Sequence, residues 1–270
     1  MKFLSAILLL CVFATAISCG GGSKSSTAGM PLSGNWQITL VRHNLAQEFP
    51  YSGFLQQSGN AITGSVILNS TNGCAGVGPV TGTLNGQNLQ LDINEFGQDI
   101  TLTGTVPSLG GSDVTSMSGQ FSNVSGGCLF SSTGNWSAVR VTPLTGSFHG
   151  AFQTQHNGTL DVTGTMTQGS NIGASNASIS GSITASGNAR FCSYLTTATI
   201  TGVISGTSVL LTLYGPDGSQ IGQIGQAGSS PAVPATITAD ATSLSGPSLF
   251  LALDPVNCPQ DEGTVQLTFP

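Results

Sequence analysis

Thr81-Gly82-Thr83-Leu84-Asn85-Gly86-Gln87-Asn88-Leu89-Gln90-Leu91 decides the fold. Two runs in which apolar and polar residues alternate flank an Asn-Gly pair. Alternation with period two is the pattern of a half-buried strand. Asn-Gly between two such runs reads as a hairpin, because both residues accept positive φ. The stretch recurs as Thr201-Gly202-Val203-Ile204-Ser205-Gly206-Thr207-Ser208-Val209-Leu210-Leu211.

Working outward, more pairs appear in the same order. Pro31-Leu32-Ser33-Gly34-Asn35-Trp36 returns as Pro143-Leu144-Thr145-Gly146-Ser147-Phe148, and Ala61-Ile62-Thr63-Gly64-Ser65-Val66 as Ser178-Ile179-Ser180-Gly181-Ser182-Ile183. Ordered self-similarity of this kind is a tandem duplication. It divides the chain into 31–142 and 143–270, each long enough to bury its own core.

In the first unit the spacing predicts strands at Asn35–Val41, Gly53–Gln57, Ala61–Leu68, Pro79–Leu84, Asn88–Ile93, Asp99–Val106, Thr115–Phe121 and Asn135–Val141. The second unit predicts Ser147–Thr154, Thr159–Thr167, Ser178–Ala185, Ala198–Ile204, Ser208–Tyr214, Gln220–Gly225, Ser248–Leu253 and Thr264–Phe269. There Gly228–Ala235 reads as a long loop and Thr236–Thr242 as an extra or displaced strand. Eight consecutive antiparallel strands must hide their edges, and closing the sheet does so. Glycines inside strands (Gly64, Gly82, Gly104) suit the bends of a small barrel. The expectation is an all-β protein of two tandem eight-stranded meander barrels. β-sandwiches are the alternative, although in an immunoglobulin-like one a Trp should lie between the paired cysteines.

The chain has 270 residues, of which 39% are hydrophobic and 6% charged, with a net charge of −6. The apolar fraction argues against disorder. Five Lys and Arg in all supply no basic face for phosphates, so no nucleic-acid partner is expected.

The N-terminus carries an address. Lys2 precedes the apolar run Phe3–Phe13, which is far shorter than the roughly 20 residues of a spanning helix. Small residues then lead into Cys19, as in a secretory signal. Ala16-Ile17-Ser18-Cys19 resembles the lipobox of bacterial lipoproteins. The resemblance implies cleavage after residue 18, acylation of Cys19 and a membrane anchor made of several acyl chains. Gly20 after the cysteine implies, by the same resemblance, passage to the outer membrane. Residues 1–18 are then the signal peptide, and 19–30 a lipidated cysteine with a Gly/Ser tether.

Cys74, Cys128, Cys192 and Cys258 remain, two in each unit. An even count in an oxidising compartment suggests disulfides. Three pairings are open, and one bridge per unit, Cys74–Cys128 with Cys192–Cys258, fits the duplication best. No Cys-x-x-Cys motif points to zinc.

Gly34-Asn35-Trp36 resembles the Gly-x-Trp opening of lipocalin-like (calycin) barrels. The resemblance covers about 31–141. It implies an eight-stranded meander with an apolar cavity, and a late basic residue, here Arg140, packed over Trp36 to close the barrel. Phe148 replaces Trp36 in the second unit.

Few residues suggest chemistry. His149 and His156 flank a turn with Asp161 downstream, but a metal site needs convergence with a third ligand. No Gly-x-Ser-x-Gly elbow opens a helix. Asp92, Glu95 and Asp99, like Asp261-Glu262, read as acidic loops. Trp36, Tyr51, Phe54, Trp136, Tyr194 and Tyr214 are candidates for rings that stack on sugars. The sequence therefore points to a non-enzymatic envelope lipoprotein without cofactor or metal. It would hold a small apolar ligand in a barrel or, as the alternative, act as a structural or adhesive module that contacts polysaccharide or a protein partner.

Overall fold

The hairpin forms where the sequence places it, but its two turn residues are Gly86 and Gln87, and Asn85 stays in the strand without positive φ. Asn85 pairs with Asn88 across a two-residue turn, and Gly86 takes φ +63°. The repeat does the same: Ser205 pairs with Ser208, and Gly206 has φ +54°. A glycine first in a two-residue turn matches the twist of the strands it joins.

The computed structural model describes residues 32–43, 48–68, 76–95, 97–107, 114–123, 132–171, 175–187, 189–191, 195–226, 233–251 and 260–270. Strands β1 (Gly34–Arg42), β2 (Glu48–Ser58), β3 (Ala61–Leu68), β4 (Gly76–Asn85), β5 (Asn88–Glu95), β6 (Gln98–Thr105), β7 (Ser116–Asn123) and β8 (Thr133–Val141) form an antiparallel meander. It closes where β8 pairs with β1, Arg140 lying opposite Trp36.

The second barrel is built from β9 (Thr145–Thr154), β10 (Gly158–Asn171), β11 (Ala177–Ala185), β12 (Thr197–Ser205), β13 (Ser208–Tyr214), β14 (Gln220–Ile224), β15 (Ala235–Ile237), β16 (Ser243–Phe250) and β17 (Asp261–Thr268). Its circuit closes through β17 with β9 and β12 with β13. β14 and β15 fill one strand position between β13 and β16. Ile224 faces Leu211, and Ala235 resumes opposite Val209. The sequence expectation of an extra or displaced strand is thus corrected: the sixth strand of this barrel is interrupted, and the chain leaves it after Ile224 and returns at Ala235. Gln226 and Val233 exchange backbone hydrogen bonds at the neck of that excursion.

Strand glycines make the curvature. A Cβ on Gly82 would lie 2.2 Å from the Gln90 carbonyl oxygen and 2.7 Å from Leu91 Cδ2. At Gly202 the corresponding distances are 2.2 Å to Leu210 O and 2.8 Å to Leu211 Cδ2. The duplication therefore extends to close contacts between strands, which leave no room for a side chain.

Both lumens are filled. In barrel 1, Trp36, Ile38, Leu40, Tyr51, Leu55, Leu91, Ile93 and Trp136 are all 2% exposed or less. In barrel 2, Phe152 and Phe250 pack edge to face at 5.0 Å, and Phe148 meets Phe269 at 5.6 Å. Small barrels of eight strands have an interior just wide enough for such side chains.

Candidate functional site

Trp36 lies in the barrel 1 core and donates its Nε1–H to the Leu32 carbonyl at 2.9 Å. Arg140 stands in register with it, on the inward side of β8. Its Nη2 donates to the Ser33 carbonyl at 2.7 Å. The guanidinium thereby ties the chain entering β1 to the last strand. Cys19, Cys74, Cys128, Cys192 and Cys258 lie outside the described residues, as do the signal and tether segments and Tyr194.

The polar candidates do not converge on a reactive centre. His43 Nε2 is 3.4 Å from Asn135 Oδ1 on the first barrel, whereas the other two histidines belong to the second. His149 projects from the outer face of β9, while His156 sits in the β9–β10 turn with its ring 65% exposed. Asp92 accepts from Thr101 Oγ1 at 2.7 Å and Gln90 Nε2 at 3.0 Å, and Asp99 accepts from Asn94 Nδ2 at 2.6 Å. Among the described residues no group of three His, Cys, Asp or Glu side chains could hold a metal ion. Of the ring candidates, Trp36, Tyr51, Phe54 and Trp136 are buried and Tyr214 is half-buried.

Asp261 departs from its reading as an acidic loop residue. It is 1% exposed. Its Oδ1 accepts from the His156 backbone N–H at 3.0 Å, and its Oδ2 from the Asn157 N–H at 3.0 Å and Asn157 Nδ2 at 2.6 Å. Burial pushes this carboxyl up, but the hydrogen bonds from His156, Thr154 and Asn157 outweigh it and hold it below the usual range. A buried carboxylate satisfied in this way staples the β9–β10 turn to the start of β17.

Surface grooves lie outside the lumens. One of about 630 Å³ crosses barrel 1 between Gln87, Thr105, Ser116, Ser118, Ser137 and Val139. Another, about 520 Å³, crosses barrel 2 between His149, Gln153, Asp161, Thr163, Gln266 and Thr268. Hydroxyl and amide side chains share both with apolar ones, Pro107, Met117 and Val139 in the first and Ala151 and Val162 in the second.

The barrels themselves meet across a polar seam. The Gly206 turn lies on the outer face of β1 and β2. Asn35 bonds both backbone groups of Gly206: Nδ2 donates to its carbonyl at 2.9 Å, and Oδ1 accepts its N–H at 2.6 Å. Gln37 Oε1 accepts from the Thr207 N–H at 3.2 Å and its Oγ1 at 3.0 Å. Ser205 and Ser52 hydroxyls meet at 3.3 Å. Phe54 and Val141, also on the outside of barrel 1, join the apolar cluster of barrel 2. The Thr142 N–H donates to the Ala239 carbonyl beside them. Where Ile67 faces Val203, Leu210 and Pro234, the seam leaves a cavity of about 180 Å³.

Sequence reasoning missed this seam. Nothing in the sequence marks Asn35, Gln37 or Ser52, which on an isolated barrel would face solvent. One signal was present: Phe54 and Leu55 are adjacent, so one apolar side chain must point outward.

No protein-family model matches the chain, and no curated protein matches it. Among solved structures it is similar to a protein of unknown function from the DUF3598 family of Nostoc punctiforme, at 8% identity and a TM-score of 0.24, over 88% of this chain and 96% of that one. A porin-like protein from Bacteroides uniformis gives 10% identity and a TM-score of 0.16, over 89% and 99%. Likenesses this slight carry no argument about what the chain does.

Proposed function

We propose that the chain is a non-enzymatic lipoprotein of the bacterial envelope, anchored through Cys19, whose two barrels form a rigid module that binds a protein partner through its outer faces. The filled lumens carry this reading. Trp36, Tyr51, Leu91 and Trp136 occupy the space that a ligand inside barrel 1 would need, and side chains of this size fill the interior of an eight-stranded barrel. The lipocalin-like expectation of a small apolar ligand is therefore the weaker reading. A stacking polysaccharide is disfavoured too, because most of the candidate rings are buried. What the outside offers is broad grooves in which Ser, Thr and Gln stand beside Val, Ala and Met, a mixed surface like that of non-obligate protein interfaces.

Two experiments test the two halves of this reading. Growth with an alkyne fatty acid should label the wild-type chain and leave Cys19→Ser unlabelled; equal labelling would refute the anchor. Native mass spectrometry of residues 31–270, secreted to a bacterial periplasm, should give the bare mass. A bound mass released only on unfolding would restore the cavity reading.

A further inference from the structure

The seam between the barrels uses one receiving face and one inserted turn, and the duplication makes each of them twice. The Leu32 N–H donates to Gln57 Oε1 at 3.2 Å, and the Leu144 N–H to Gln168 Oε1 at 3.0 Å. The Gln57 and Gln168 N–H groups donate to Ser33 Oγ and Thr145 Oγ1. These matched contacts align β1 with β9 and β2 with β10. Asn35, Gln37, Ser52 and Phe54 on the receiving face therefore correspond to Ser147, His149, Thr163 and Thr165. The turn Ser205-Gly206-Thr207 corresponds to Asn85-Gly86-Gln87.

One member of each pair is used within the chain. The other is exposed: Asn85, Gly86 and Gln87 at one end, Ser147, His149, Thr163 and Thr165 at the other. His149 and Thr163 also line the groove of about 520 Å³. A Cβ on Gly206 would lie 2.3 Å from Ser52 Cβ, whereas one on Gly86 would meet nothing within 4 Å.

We propose that the outer face of β9 and β10 receives the Asn85-Gly86-Gln87 turn of a second copy of this chain. In the internal seam Asn35 holds both backbone groups of Gly206, Gln37 the N–H and hydroxyl of Thr207, and Ser52 the hydroxyl of Ser205. In the unused pair the turn offers the amides of Asn85 and Gln87, and the face the hydroxyls of Ser147, Thr163 and Thr165 with the imidazole of His149, so each side carries donors and acceptors for the other. The two glycine turns share a positive φ, so the backbone presented is the same. Such contacts join unlike surfaces, so copies add head to tail and grow into open chains or rings rather than closing as a two-fold dimer.

The test uses residues 31–270 and two variants at exposed positions. Thr163→Arg spoils the face, and Gln87→Arg spoils the turn. Sedimentation velocity on the parent should show species growing beyond the dimer with concentration. Each variant alone should stay monomeric, its self-association weakened by at least about tenfold through an unpaired buried charge. An equimolar mixture of the two should form one-to-one dimers, because one intact turn and one intact face remain. Circular dichroism and melting temperature matching the parent would exclude misfolding. A parent that stays monomeric up to its solubility limit overturns the proposal. So does a parent that stops at a dimer, or a mixture that stays monomeric.

Discussion

The turns at Gly86 and Gly206 have one shape and two surroundings. Both place glycine first with positive φ between paired strands. The first stands in solvent. The second is covered by Asn35, Gln37 and Ser52 of the neighbouring barrel. Local sequence sets the geometry of a hairpin, since Gly takes that φ without strain. What the hairpin does depends on side chains far away in the chain. Asn35 and Gly206 are 171 residues apart, and nothing near Gly206 announces the partner.

The comparison of the two barrels can be broken most strongly in their cores. Trp36→Ala should cost about 3–5 kcal/mol, and Phe148→Ala, its counterpart, a similar amount. Denaturant unfolding would check both, and a strongly unequal loss would mean that the two lumens are not packed alike. Next come the strand glycines. Gly82→Ala and Gly202→Ala should each lose about 1–3 kcal/mol through forced strand displacement, because each new Cβ falls 2.2 Å from a carbonyl oxygen. A neutral result at either site would refute that close approach.

Removing the seam should cost a similar amount and act differently. Asn35→Ala leaves the buried N–H and C=O of Gly206 unpaired, a penalty of about 1–3 kcal/mol. Calorimetry should then show two transitions, because the barrels no longer unfold together. Ser147→Ala, at the equivalent exposed position, should leave the melting curve unchanged.

The smallest effect separates the barrels by pH. Asp217 is held low by the Ser219 hydroxyl and N–H, and Asp240 by the hydroxyls of Thr238 and Thr242. Asp261 is held low by its hydrogen bonds despite burial. All three lie in barrel 2. A carboxyl with a depressed folded pKa adds stability above its unfolded pKa and loses it as pH falls through the folded one. The stability of barrel 2 should thus decline from about pH 4 downward, and Asp261→Asn should remove part of that slope. Acid titration followed by the Phe signals of barrel 2 would check it, and an unchanged slope in the variant would remove Asp261 from the explanation.

Much of the architecture was legible because strand patterning and turn chemistry are local. All the predicted strands have counterparts, and the hairpin falls at its predicted place, shifted by one residue so that Gly86 opens the turn. The interrupted strand β14–β15 was not legible. Its Pro- and Gly-rich excursion looks like an ordinary loop, and only pairing on both sides shows that Ile224 and Ala235 continue one strand. Asp261 misled for a related reason: a carboxylate reads as exposed until a turn supplies donors enough to bury it. Phe54 was the visible clue to the seam, since an outward aromatic on a strand needs cover. Asn35 and Gln37 gave none, because an amide suits water and a partner equally.

Amide hydrogen exchange at the two turn glycines tests the central comparison most directly. The Gly206 N–H, 2.6 Å from Asn35 Oδ1, should exchange at least about a hundredfold more slowly than the Gly86 N–H, since opening the seam must precede exchange. Asn35→Ala should bring the two rates together. Equally fast exchange at both glycines in the wild-type chain would contradict the docked seam, and with it the account of two barrels held as one rigid module.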